Sequence, residues 1–388
     1  MLQSVSPKQD LPLKPDPAEP RSGVLAPFSI AAFRIIWICN LFANLGTWAQ
    51  SVAAAWVITT EQSSPLMVAM IQVAAAFPLV ALSIVTGVLA DNYDRRKVML
   101  AGMLLELAGG VFITTAGADE ITGKDCNRAT FRWSVPTFGA IEQTVRPLLE
   151  KLPKAKRWYT ITPQYVFGDG LLNAAKAIFK EKGIEHVGNS YHSLTEKEFS
   201  GYLTNALAAK PDVLLILNFG SQSSDTLRQA VSFGMKQNCT ILVAWASGLE
   251  QFESLGADLC EGVYFGAQYW HGIDSPLNKE LVKLSREKTR ANPNYSLAGS
   301  YICTRIMLDA IVKAGSADPA KVVAVMEGMA YEGLTGPEEI RKADHQVMKN
   351  YYLLKGRAKK DMKDKDDYAE IVHSGRSFLP PAETGCKL

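Results

Sequence analysis

A chain of 388 residues is long enough for two or three domains, and its 41 basic against 39 acidic side chains leave a net charge of only +2. No global field therefore favours nucleic acid or a strongly acidic partner. The 47% hydrophobic content averages two unlike stretches: apolar residues gather between Ile35 and Gly117, and charge gathers after Asp119, most densely over Lys359 to Asp367.

In chain order, residues 1–25 are predicted to be a disordered cytoplasmic tail. Met1 to Ser22 is rich in Pro, Lys and Asp and leads into no signal-peptide core. Residues 26–117 are predicted to form three transmembrane helices, from the apolar runs Phe33 to Thr59, Ser64 to Ala90 and Val98 to Gly117. Each is close to the ~20 residues that cross a bilayer as a helix. Small residues such as Gly46, Ala54, Ala75, Gly102 and Gly109 would allow close helix packing in lipid. Lys8, Lys14, Arg21 and Arg34 flank the first run, and Arg95, Arg96 and Lys97 separate the second from the third, while Thr60 to Pro65 holds no cation. By the positive-inside rule the chain then emerges outside the cytoplasm near residue 118. The expected location is the inner membrane, with the C-terminal domain, residues 118–388, in the periplasm.

The C-terminal part alternates strand-like and helix-like stretches. Trp158 to Ile161 is predicted as a strand, Gly170 to Lys182 as a helix, His186 to Ser190 as a strand and Glu198 to Ala209 as a helix. Val213 to Leu217 is apolar on both faces and predicts a buried strand. A helix over Asp225 to Gly234 and a strand over Thr240 to Trp245 follow. This alternation predicts a parallel sheet covered by helices. Ligands of such sheets sit beyond the carboxyl ends of the strands, so the loops of interest are Pro163 to Asp169, Asn218 to Ser224 and Ala244 to Glu250.

Nothing in the chain predicts catalysis, a cofactor or a metal. There is no GxSxG elbow, P-loop or GxGxxG, and His186, His192, His271, His345 and His373 lack ligand or triad spacing. Six cysteines show no zinc pattern; outside the cytoplasm Cys126 with Cys386, or Cys239 with Cys260, are possible disulfides, and free buried thiols are the alternative.

Two resemblances sharpen this reading. The segment Gly87-x-Leu89-Ala90-Asp91-x-x-x-Arg95-Arg96-Lys97, with Asp94 at the usual central glycine, resembles the loop between the second and third helices of the major facilitator superfamily, in its siderophore-exporter-like branch. In that family Gly87, Asp91, Arg95 and Arg96 would belong to a cytoplasmic gating motif. The second resemblance covers about residue 114 to the end. Asp125-Cys126-Asn127-Arg128, Tyr165-x-Phe167-Gly168-x-Gly170, Pro211-Asp212-Val213, Leu227-Arg228-Gln229-Ala230 and Arg341-x-x-Asp344-His345-Gln346 are similar to the periplasmic binding proteins of leucine/isoleucine/valine type. The implied fold class is mixed: N-terminal transmembrane α-helices, then the two α/β lobes of a type I periplasmic binding protein, the first lobe incomplete.

The second resemblance implies a cleft. Tyr165, Phe167 and Phe219 would wall it, Gly220 and Ser221 would offer N–H or hydroxyl groups, and Thr115 and Ala116 would help hold a ligand carboxylate. Trp245 and Ala246 follow the Thr240 strand, where amino-acid binders of this family place an acid for the ammonium group. Ala246 therefore favours a carboxylic acid with an apolar or aromatic body, unless Glu250 or another carboxylate supplies the charge. The expected function is solute binding, without catalysis, for an ABC-type import system of amino or carboxylic acids. The expected partners are that ligand, an ABC permease and the lipid bilayer, with no nucleic acid. A facilitator-family exporter fragment fused to a binding domain, or a mosaic with neither activity, is the alternative.

Overall fold

The computed structural model describes residues 110–388, which fall within one compact unit, Met103–Leu388. Two sheets organise them. The first contains β1 (Phe112–Thr114), β2 (Thr130–Arg132), β8 (Ala330–Gly333), β9 (Gly336–Arg341) and β10 (Gln346–Met348), in the order β1-β2-β10-β9-β8. The second contains β3 (Arg157–Pro163), β4 (Glu185–His192), β5 (Val213–Ile216), β6 (Thr240–Val243), β7 (Tyr264–Ala267), β11 (Tyr351–Gly356) and β12 (Ala369–Gly375), in the order β12-β11-β7-β6-β5-β3-β4. Strands β4, β3, β5, β6 and β7 run parallel, and the antiparallel pair β11–β12 closes one edge.

Helices α1 (Thr137–Lys151), α2 (Val166–Lys182), α3 (Ser200–Ala208), α4 (Gly220–Ser232), α5 (Met235–Asn238), α6 (Leu249–Leu255) and α7 (Ala257–Cys260) accompany the larger sheet. All of Val213 to Leu217 is fully buried, as expected of a central strand covered on both faces. Helices α8 (Pro276–Thr289), α9 (Tyr295–Ala314) and α10 (Pro319–Met326) accompany the smaller sheet. Each begins where its sequence says it should: Ser275, Asn294 and Asp318 accept hydrogen bonds from the N–H groups of Asn278, Leu297 and Lys321. Pro276 and Pro319 follow their caps directly, where a missing N–H costs nothing. A short helix, α11 (Pro381–Thr384), lies near the C-terminus.

The chain passes between the two sheets at Trp133–Pro136, at Gln268–Ser275 and at Lys349–Asn350, and so builds two lobes joined by three adjacent segments. The predicted strands over 158–161, 186–190, 213–217 and 240–245 all appear, with ends shifted by a few residues. Two helices begin earlier than predicted: α2 at Val166 instead of Gly170, and α4 at Gly220 instead of Asp225. Their N-cap residues, Tyr165 and Phe219, make no side-chain capping bond, so the usual Ser/Asp/Asn start signal is missing from the sequence.

One expectation about the N-terminal part requires correction. The third apolar run was expected to stay helical to Gly117. Its last residues instead form β1, hydrogen-bonded in parallel to β2. A short apolar run bounded by turn residues fits a strand as well as a helix end, and hydropathy does not separate the two. Among the described residues no helix is long and apolar enough to cross a membrane. The remaining predicted membrane segments and the loop residues Gly87, Asp91, Arg95 and Arg96 lie outside the described residues.

Candidate ligand-binding cleft

The carboxyl ends of β3, β5 and β6 in the larger lobe lead into α2, α4 and α6 respectively. None of these three helices has a side-chain N-cap. Their first N–H groups are thus free of side-chain partners at one end of the sheet, where the helix dipoles favour negative charge. In the smaller lobe α8, α9 and α10 are all capped by their own side chains. Helix starts left in this way are suited to an anionic group. Gly220 adopts φ +65°, a left-handed turn that lets α4 start immediately after Phe219.

Aromatic rings line this end. Phe167 lies edge-on to Trp245 at 5.0 Å between ring centres, and Phe219 and Tyr165 lie 6.4 Å and 5.7 Å from Phe167. Phe219 is 41% exposed whereas Trp245 is 2% exposed, so the wall runs from solvent to interior. Trp245 is backed by Tyr351 at 5.8 Å, whose hydroxyl donates to the Ala244 carbonyl at 2.8 Å. Burial pushes the Tyr165 hydroxyl above its ordinary pKa, which keeps it neutral.

The smaller lobe meets this wall through the loop after β1. A Cβ on Gly117 would come within 2.4 Å of the Trp245 ring and 3.0 Å of the Phe167 ring. The Thr115 carbonyl accepts a hydrogen bond of 2.6 Å from the Tyr295 hydroxyl at the start of α9, and the Ala116 N–H donates to Thr114 Oγ1 at 3.1 Å. Across the cleft, Gly248 approaches the same helix end: a Cβ there would stand 3.0 Å from the Tyr295 backbone nitrogen and 3.0 Å from Glu250 Oε2.

The loop after β6 carries the sharpest polar signal. Glu250 Oε2 and Ser247 Oγ are buried and have no hydrogen-bond partner. Burial raises the pKa of Glu250 above the ordinary carboxylate value. A carboxylate oxygen buried without a partner is costly, and a cation arriving beside it reduces that cost. Gln251 orders the loop: its Oε1 accepts the Ser247 N–H at 2.9 Å and its Nε2 donates to Ser223 Oγ at 2.9 Å. Ala246, by contrast, is buried, and its N–H is already committed to the Gly266 carbonyl at 2.7 Å.

The three inter-lobe segments are fastened to one another beside the cleft. Gln268 Oε1 accepts the Val135 N–H at 2.9 Å, and its Nε2 donates to the Val135 carbonyl at 2.8 Å. Lys349, wholly buried, donates to the Gln268 carbonyl at 2.7 Å, to Gln268 Oε1 at 3.2 Å and to the Asn350 carbonyl at 3.3 Å. Its ammonium stands 4.2 Å from the centre of the Trp133 ring, a cation–π arrangement. The Trp133 indole N–H donates to Glu338 Oε2 at 2.9 Å, so buried cation and buried carboxylate flank one ring. Burial pulls the Lys349 pKa down to about 7.

The predicted wall and loop residues are thus adjacent along Tyr165, Phe167, Phe219 and Trp245, with Gly220 and Ser221 at the exposed start of α4. Tyr295 and the Gln268–Lys349 fastening have no local signal in the sequence, whereas Ser247 falls within the loop Ala244 to Glu250 and Gly117 adjoins Thr115 and Ala116. Four of the histidines have structural partners: His186 pairs with Thr160, His192 with Asn218, His373 with Gln143, and His345 stacks on Phe131 at 4.0 Å.

Two α/β lobes on three crossing segments, with aromatic rings at the strand ends of the larger lobe, define a solute-binding protein. The periplasmic binding protein family model matches residues 60–361, and this chain belongs to that family. The fold is one of binding, not of catalysis. An amino acid ABC transporter substrate-binding protein from Pseudomonas fluorescens is 60% identical over 74% of this chain and 77% of its own, with a TM-score of 0.73. A branched-chain amino acid ABC transporter periplasmic ligand-binding protein from Burkholderia xenovorans shares the fold at 22% identity, covering 74% of this chain and 77% of its own, with a TM-score of 0.64. So does a solute-binding protein of an ABC transporter from Rhodopseudomonas palustris in complex with 3,4-dihydroxybenzoic acid, at 22% identity, 74% and 78% coverage and a TM-score of 0.63. Comparison with curated proteins gives no match. The family match reaches back to residue 60, across much of the segment read as major-facilitator-like, and these comparisons give that reading no support.

Proposed function

We propose that this protein is the extracytoplasmic solute-binding component of an ABC-type import system and that its ligand is an α-amino acid with an apolar or aromatic side chain. The observation that carries the ligand class is Glu250, whose Oε2 is buried without a partner in the loop that also supplies Trp245. A ligand ammonium would pair with it. The ligand carboxylate would face the uncapped starts of α2 and α4 and the loop of Thr115 and Ala116. The side chain would lie against Phe167, Phe219 and Trp245. The 60%-identical relative, named for amino acid transport, supports the same reading. Binding closes the lobes without making or breaking a bond, and the closed form would be presented to a membrane permease.

A second reading keeps the site and changes the ligand to an aromatic or aliphatic acid without an ammonium group. It is favoured by Ala246, which brings no charge to the position where amino-acid binders of this family place an acid. Thermal shift of the full chain in mild detergent separates the two. L-leucine and L-phenylalanine should raise the melting temperature while benzoate does not. A shift with benzoate alone would select the second reading, and none with any of the three would remove both. Tethering to the inner membrane by the apolar N-terminal runs is a further part of the proposal, tested by whether alkaline carbonate releases the protein from membranes.

A further inference from the structure

After β12 the chain leaves the larger lobe and runs back to the smaller one. Gln143 Nε2 on α1 donates to Ser377 Oγ at 2.6 Å, and Phe378 packs against the core of the larger lobe. From there the contacts change lobe. Arg341 on β9 donates to the Leu379 carbonyl at 2.9 Å. Cys386 is disulfide-bonded to Cys126, in the loop between β1 and β2. Arg376 adds bonds to Asn350 Oδ1 at 3.0 Å and to the Pro337 carbonyl. Residues 376–386 therefore form a fourth passage between the lobes, closed covalently over a separation of 260 residues.

The same strap contributes Phe378 and Leu379 to a small cavity also lined by Asp119, Arg132, Arg341 and Asp344. Within it, Asp119 of the smaller lobe accepts the Thr137 N–H at 2.8 Å and the Thr137 hydroxyl at 2.5 Å, so it caps the first turn of α1 in the larger lobe. Arg132 is buried, and each of its three guanidinium nitrogens donates a hydrogen bond, to Gln346, Thr122 or the Ala118 carbonyl. Opening the lobes about the three crossings would pull on the strap, which is anchored on both sides of them.

We propose that the C-terminal strap, fixed by Cys126–Cys386, is an inter-lobe tether that limits how far the cleft opens. It keeps the empty protein near the geometry that closes on a ligand. A ligand that needs a narrow cleft then binds without first gathering a widely open ensemble, which is a gain in the competent fraction. The proposal rests on the solute-binding reading for its purpose, but its test needs no ligand.

The test is hydrogen exchange read by mass spectrometry on the full chain in mild detergent. It compares the oxidised protein, the same protein after dithiothreitol, and the Cys126→Ser/Cys386→Ser variant. Reduction of folded protein covers the case in which the variant fails to fold. The tether predicts that residues 133–136, 268–275 and 245–250 exchange at least about fivefold faster once the disulfide is open, while β5 and β6 stay as protected as before. Faster exchange confined to residues 376–388 would overturn it, showing a loose end only. Uniform acceleration through both sheets would also overturn it, showing a general loss of stability.

Discussion

Lys349 and Gln268 are bound to each other twice, through the Gln268 carbonyl at 2.7 Å and its Oε1 at 3.2 Å, although they lie on different segments between the lobes. Because Gln268 also holds Val135 on both sides, one glutamine and one lysine tie all three crossings together. The lysine does this without solvent contact and with its pKa drawn down to about 7.

This gives a stability profile with a definite sign. The folded lysine binds its proton less tightly than the unfolded one, whose pKa is the ordinary 10.5. Between these values the unfolded chain carries more protons, so this group makes stability rise with pH from about 7 upward, and its cost is fully present below that. Chemical denaturation at pH 7 and pH 9 should show wild type gaining about 2 kcal/mol on Lys349→Met over that interval. Parallel profiles for the two proteins would show that Lys349 does not titrate there.

Trp133→Phe should cost about 1–3 kcal/mol, because Glu338 Oε2 loses the indole donor while still buried. The carboxylate would keep Tyr331 and Thr335 as partners, so the variant should still fold. Urea denaturation measures the difference.

Gly117→Ala places a methyl group against two rings that have nowhere to move, since Trp245 is held by Tyr351 behind it. Overpacking of this kind costs about 1–3 kcal/mol, and because the approach is already present in the ligand-free protein, the loss falls on its stability. Thermal melting of the empty protein reads the loss directly, and an unchanged melting temperature would show that the Gly117 loop does not rest on these rings.

Glu250→Gln keeps shape and removes charge. If the ligand carries an ammonium group, its affinity should fall by about 30-fold or more, in keeping with the 2–5 kcal/mol of a truncated buried charge pair. Calorimetry with L-leucine reads this directly, and an unchanged affinity would move the ammonium site elsewhere.

Much of the larger lobe was legible because its strands are written plainly. Val213 to Leu217 is apolar throughout and wholly buried, and each helical stretch follows its strand. The early starts of α2 and α4 were hidden because Tyr165 and Phe219 stand where a capping Ser or Asp would have signalled them. Aromatic residues there serve the cleft wall rather than the helix. The crossings were not legible at all. Val135, Gln268 and Lys349 come from three remote segments, and nothing local to any of them announces the other two. The disulfide was one of two open pairings; Cys126–Cys386 forms, while Cys239 and Cys260 stay free, with burial pushing Cys260 up to about 12. At the other end, β1 merges with an apolar run in the sequence because Phe112 and Ile113 suit a strand and a helix end equally.

The most direct test of a cleft that closes on an apolar amino acid is isothermal titration of the full chain with L-phenylalanine, beside Trp245→Ala and Phe167→Ala. One-to-one binding with a negative heat-capacity change, weakened at least about tenfold in both variants, is the predicted result. Binding that is indifferent to both rings would contradict the placement of the site between Phe167 and Trp245.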